Sequence, residues 1–162
     1  MIEARASLGV SRQVFLVSLG SFDTHVDQLS VQQTLLGQLG PALKAFHDSM
    51  GAIGAGSSVT SFTLSDFSRT YVANTNGGTD HAWGSNHFVG GGAVRGGQFY
   101  GTWLTLEIGG PDDVGNRGRW IPTTAVDQYA ATLASWFGVG AAGLAGVLPN
   151  LSSFTPSTIG FI

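Results

Sequence analysis

Cysteine is absent from this 162-residue chain, which excludes disulfides and thiolate metal ligands while leaving the redox compartment open. Charge is scarce: Asp, Glu, Lys and Arg together make up 10% of residues, against about 25% in an ordinary globular domain. Lys44 is the one lysine, and six arginines cannot build a basic patch, so nucleic acid is not an expected partner. The longest low-polarity stretch, residues 139–148, carries three glycines and is too short to span a bilayer, so no membrane association is expected. The opening residues show no charged segment followed by an apolar one, hence no signal peptide is expected in this chain. Glycine is plentiful instead, at 25 residues. A glycine-rich, charge-poor surface suggests that part of it is covered by further polypeptide or by another subunit.

The length suits one domain with its own core. Residues 13–19 (Gln-Val-Phe-Leu-Val-Ser-Leu) form an apolar, β-prone run that predicts a strand buried on both faces, as in a parallel sheet. From Asp27 to Met50 the period changes. Leu35, Leu39, Leu43, Phe46 and Met50 mark one face of a helix, which Gly40-Pro41 is expected to kink or divide. Residues 59–64 then predict a second strand, completing a βαβ unit. His87-Phe88-Val89 and Gln98-Phe99-Tyr100 suggest a short hairpin. A last helix follows Pro122, with Thr124 and Asp127 as a capping pair, Val126, Tyr129, Leu133 and Trp136 or Phe137 on its buried side, and Gly138 closing it. The glycines at 90–92 do not make a phosphate loop, because no Gly-Lys-Ser/Thr follows them.

The few charges are concentrated where the chemistry would be. Asp23-Thr24-His25 follows the first predicted strand, Asp66 follows the second, and Asp80-His81 lies in a long Gly/Asn loop. Carboxylate and imidazole on loops at the carboxyl ends of strands suit a hard or borderline divalent ion. On this reading Asp23, His25, Asp66 and His81 are metal ligands, Asp80 orients the neighbouring imidazole, and Arg69 presents a guanidinium to an anionic substrate. The competing reading makes Asp23 a helix cap, Asp66–Arg69 a structural ion pair and Asp80 a turn residue. Neither a Gly-x-Ser-x-Gly elbow nor a His-Glu-x-x-His helix is present, so two common hydrolase designs are excluded.

Taken in order, Phe22-Asp23-Thr24-His25-x-x-Gln28, Ser65-Asp66-Phe67-Ser68-Arg69-Thr70, Gly78-Thr79-Asp80-His81-Ala82-Trp83-Gly84 and the glycine pattern at 91–97 resemble the DUF1501 family. So do Arg117-Gly118-Arg119-x-Ile121-Pro122, Asp127-Gln128-Tyr129, Trp136-Phe137-Gly138 and Pro149-Asn150-Leu151. The resemblance implies an α/β fold, a three-layer α/β/α sandwich like that of alkaline phosphatases and sulfatases. Residues 13–162 would be the C-terminal part of that domain, behind a lead-in at 1–12. It also implies metal-dependent hydrolysis of a small anionic phosphate or sulfate ester, with a divalent metal such as zinc. Asp23, His25 and His81 would share one ion and Asp66 would help hold a second. The family is commonly exported, which implies a periplasmic or secreted parent whose N-terminal part carries the nucleophile. Two departures stand out. The family's Ser-Glu-Phe-Gly-Arg is Ser-Asp-Phe-Ser-Arg here, and Phe67 stands where the superfamily has a second-site histidine. The absent second-site histidine and the glycine-rich, charge-poor surface favour an alternative, a non-catalytic binding or assembly protein that keeps the scaffold.

Overall fold

The computed structural model describes residues 1–162. Three helices, α1 (Gln28–Ala52), α2 (Val126–Phe137) and α3 (Ala141–Val147), are combined with four short strands, β1 (Thr60–Phe62), β2 (Ser68–Arg69), β3 (His81–Ala82) and β4 (Val89–Gly91). The strands form two antiparallel pairs, β1 with β4 and β2 with β3. The fold is therefore a mixture of helix and small antiparallel sheets. No helix is long and apolar enough to cross a membrane.

The helical expectations hold best, because a helix satisfies its hydrogen bonds within its own sequence. α1 is one uninterrupted helix running through Pro41, not two. Leu35 and Met50 are buried, while Leu39, Leu43 and Phe46 are half-buried along the same face. α2 ends as expected at Gly138, whose φ of 101° lets the N–H groups of Gly138 and Val139 close on Ser135 and Ala134. Its start differs in detail. The Gln128 side chain, not Asp127, reaches back to the Ala125 N–H at 2.9 Å. Tyr129 and Leu133 are buried as predicted, but Val126 faces solvent.

The strand expectations fare differently. Residues 13–19 form no strand, and the βαβ unit loses its first member. A strand needs a partner for its backbone, and nothing in this chain pairs with that run. Val89–Gly91 does not form a hairpin with residues 98–100. It pairs with β1, in the register Thr60 to Gly91 and Phe62 to Val89. Glycine is required there: a Cβ on Gly91 would stand 2.3 Å from the Val59 carbonyl oxygen, and Gly91 has a φ of 151°.

The core is small. Only 18 of 162 residues are buried, so the loss of one large side chain should be felt throughout. Tyr129, Leu133 and Phe161 form its centre, with Val89, Ile159 and Ile162 packed around them. The apolar tail is thus part of the core, as its composition suggests. Thr132 ties it down, accepting from the Ile159 N–H at 2.8 Å and donating to the Gln128 carbonyl at 2.8 Å. Burial pushes the Tyr129 phenol up to about 12, and its hydroxyl donates to the Thr63 carbonyl at 3.2 Å. A Phe161→Ala substitution is expected to cost about 3 kcal/mol by transfer and cavity terms. Urea unfolding followed by far-UV circular dichroism measures it.

Candidate metal centre

Two loops and one short strand pair build the site. The loop after residue 22 is held against the loop 74–80 by backbone pairing and by Asn74: Val26 bridges Gly77, the Thr79 N–H donates to the Thr24 carbonyl at 3.0 Å, and Asn74 Nδ2 donates to the His25 carbonyl at 3.0 Å. The Gln28 N–H donates to the Gly77 carbonyl at 3.0 Å, so this second loop also supplies the first turn of α1 with a partner. Asp27, at the N-cap, has a left-handed φ of 46° and makes no side-chain cap. Asn74 shapes the turn, its Oδ1 accepting from the N–H groups of Asn76 at 2.9 Å and Gly78 at 3.1 Å. The β2–β3 register, Arg69 opposite His81, then brings a guanidinium and an imidazole to the same place.

The result is a cluster of Asp23, His25 and His81, able to hold a metal ion, whose ligand atoms all lie within 4.8 Å of one another. Asp23 Oδ1 is 3.0 Å from His25 Nε2 and 3.0 Å from His81 Nε2, and the two Nε2 atoms are 3.1 Å apart. Tetrahedral ligands on bonds of about 2.1 Å stand roughly 3.4 Å apart, so shifts of a few tenths of an ångström would seat a cation. Two imidazoles and one carboxylate would supply three donors to a four-coordinate ion and leave a fourth position open. All three side chains are about half exposed, which leaves that position accessible.

The supporting contacts assign new roles to several predicted residues. Arg69, expected as an anion clamp, directs its guanidinium elsewhere. Nε donates to Thr79 Oγ1 at 3.1 Å, Nη2 to the Thr79 carbonyl and Nη1 to Asp23 Oδ1. It is 14% exposed and holds Asp23 in position. Asp80 lies beside His25, not His81, with its Oδ1 3.5 Å from His25 Nδ1. Arg117 pairs with its other oxygen at 3.0 Å, and Asn74 donates to Oδ1 at 3.3 Å. A carboxylate at Nδ1 favours the tautomer that leaves Nε2 free to ligate. Asp66 is exposed, lies outside the cluster and makes no ion pair, so a second ligand set is not assembled around it. Phe67 stacks on His81, the ring centres 4.0 Å apart and the planes 16° from parallel.

Local electrostatics keep both carboxyls ionised. At Asp23 desolvation raises the pKa, but hydrogen bonds from Arg69 and His81 and the Arg69 charge outweigh it, leaving the carboxyl below its usual value. At Asp80 the Asn74 hydrogen bond and the Arg117 charge likewise prevail over desolvation.

Sequence reasoning misses Arg117, Asn74 and Thr79 as supports. Only the concentration of charge at 112–119 hints at Arg117, since nothing local links it to a residue 37 positions earlier. A second charged residue of that segment, Asp113, shapes its own loop, its carboxylate accepting from the N–H groups of Gly109, Arg117 and Arg119. His87 accompanies Thr63 and Tyr129 instead, its Nδ1 3.2 Å from Thr63 Oγ1. Beside the cluster opens a cleft of about 1090 Å³, lined among others by Asp23, Arg69, Phe67, Trp83 and Trp103.

The sequence model of the family described as "Protein of unknown function (DUF1501)" matches residues 1–114. The chain belongs to the DUF1501 family. The match includes every residue of the DUF1501 cluster, Asp80 and Arg69, and stops before the motifs between 117 and 151. No curated protein matches this DUF1501 chain, and no solved structure does.

Proposed function

We propose that the cluster is a single divalent-metal site, with zinc as the best-suited ion, in the C-terminal part of an exported hydrolase of phosphate or sulfate esters. The observation that carries this reading is the convergence of Asp23 Oδ1, His25 Nε2 and His81 Nε2 from a loop and a strand far apart in sequence. Two imidazoles and a carboxylate form a donor set that zinc accepts readily. A cation bound there would supply Lewis-acid polarisation of an ester oxygen and a lowered pKa for a bound nucleophile. The chain's own residues do the positioning. Arg69 fixes the Asp23 carboxylate, Asp80 with Arg117 fixes the His25 ring, and Phe67 supports His81. The adjoining cleft gives a small anionic ester a place beside the cluster. An alkaline-phosphatase-like three-layer sandwich, completed by further polypeptide that brings the nucleophile, belongs to the same proposal.

A second reading has its own support. Asp66 stands apart, and Phe67 stacks on His81 where a second-site histidine would be expected. Both favour a scaffold retained for binding or assembly without catalysis.

Calorimetric titration of the chelator-treated chain with Zn²⁺ at neutral pH tests the metal site. One equivalent is expected to bind, and His25→Ala and His81→Ala are each expected to weaken binding at least about a hundredfold, the order of effect that removing a direct ligand should exceed. Absence of stoichiometric binding, or unchanged binding in both variants, overturns it. Turnover of 4-nitrophenyl phosphate or sulfate by the full-length parent, which would include the nucleophile, then separates enzyme from scaffold.

A further inference from the structure

With Arg69 committed to Asp23 and Thr79, the anion of an ester beside the cluster needs another donor. A hydrogen-bond chain running out from Arg69 supplies one. Arg69 Nε donates to Thr79 Oγ1 at 3.1 Å, and the Thr79 hydroxyl donates in turn to Gln28 Oε1 at 2.5 Å. A hydroxyl has a single proton to give, and Gln28 Oε1 is the acceptor it meets. That bond fixes the orientation of the Gln28 amide. Its oxygen is turned to Thr79, and its Nε2 group, with two N–H donors, meets no acceptor in the chain.

Gln28 is also well placed. It opens α1 three residues after His25, and its backbone N–H donates to the Gly77 carbonyl at 3.0 Å. The residue is thus held twice, at its backbone by the loop 74–80 and at Oε1 by Thr79. It lines the same cleft as Asp23, Arg69 and Thr79. It is half-buried, so the cleft reaches it while bulk water competes less for its donors. Donors set in place before the charge arrives stabilise an oxyanion without reorganisation. Arg95, the other arginine lining the cleft, lies on a segment bonded to Phe161 of the core, not to the loops that build the cluster.

We infer that Gln28 is a substrate-binding residue, its Nε2 donating to a non-bridging oxygen of the tetrahedral oxyanion that meets the metal. The inference rests on the proposed metal site and adds to it the neutral donor that holds the anion. A Gln28 that served only as a support for Thr79 would act on zinc and anion together. A Gln28 that touches the anion acts on the anion alone.

Calorimetry on the zinc-loaded chain, titrated with inorganic phosphate and separately with sulfate, tests it. Gln28→Met keeps the length of the side chain and removes both donors. It should weaken the better-bound anion about tenfold or more, the size of one hydrogen bond to a charged group, with zinc affinity little changed. Gln28→Glu keeps an acceptor for the Thr79 hydroxyl and turns a carboxylate oxygen toward the anion. It should abolish anion binding while zinc binding and the helical circular dichroism remain. Unchanged anion affinity in both variants, or loss of zinc together with the anion in Gln28→Glu, overturns the inference and leaves the metal site standing. So does a zinc-loaded wild type that binds neither anion, or a fall in affinity seen only in Arg95→Ala. If Gln28→Met fails to fold, Gln28→Glu decides alone. A wild type that takes up no zinc overturns the metal site first, and this inference with it.

Discussion

An Arg69→Ala variant is expected to lose zinc binding by roughly ten- to a hundredfold, although Arg69 itself ligates nothing. Arg69 is the side chain that joins all three segments of the site. It sits on β2, donates twice to Thr79 on the loop that leads to His81, and once to Asp23 on the other loop. Removing it frees Asp23 to rotate away from the two imidazoles and releases the 79–81 segment from β2. The two bonds to Thr79, made by a charged donor that is 14% exposed, suggest a stability loss of about 2 kcal/mol. Arg69→Lys should restore little, since a point charge cannot span Asp23 and both Thr79 acceptors as the planar fork does.

The same contact has a pH signature. Arg69 depresses the Asp23 pKa below its ordinary 3.8, so the carboxylate's contribution to stability is complete above that value. It is lost as pH falls through the lower folded-state pKa. The stability gap between wild type and Arg69→Ala should therefore be constant at neutral pH and narrow below about pH 4. Urea midpoints taken across that range measure it. A gap that stays constant into strong acid would mean that Arg69 acts through Thr79 alone.

What the sequence can disclose follows from the range of each interaction. α1 and α2 are legible because their apolar spacing and the Gly138 stop are local. Asp23, His25 and His81 are legible as candidates because charge is rare here and falls in short clusters beside glycines. Their convergence is a matter of register: Arg69 opposite His81, and Val26 against Gly77, are set by strand and loop pairing that no local pattern encodes. Asp80 shows the consequence. Sequence adjacency assigns it to His81, while the folded loop turns its carboxylate toward His25. The apolar, β-prone character of 13–19 is equally plain from the residues. Its expected burial fails because burial depends on a partner, and the chain contains none for it.

A larger effect is expected from the smallest change, Gly78→Ala. Gly78 is buried at the crossing of the two loops, and a Cβ there would lie 2.2 Å from the His25 carbonyl carbon, 2.4 Å from its oxygen and 2.5 Å from the Val26 nitrogen. These neighbours are backbone, so no rotamer change relieves the overlap. One loop must retreat by about an ångström or more, since carbon and backbone atoms approach no closer than roughly 3.4 Å without repulsion. The retreat would break the Thr79 to Thr24 hydrogen bond and the Val26 to Gly77 bridge, the two contacts that set His25 against His81. A stability loss of about 3 kcal/mol or more is expected, at or above the upper end for overpacked interiors. Zinc binding should disappear even though every proposed ligand is intact. Gly77→Ala separates this steric cause from a general intolerance of the loop. Its Cβ would meet nothing closer than 3.9 Å, so only the cost of its φ of 71° remains, roughly 1–2 kcal/mol. Calorimetry with Zn²⁺ on the two variants should show binding retained in Gly77→Ala and absent in Gly78→Ala. Equal binding in both would mean that the close approach of the two loops is not what assembles the site.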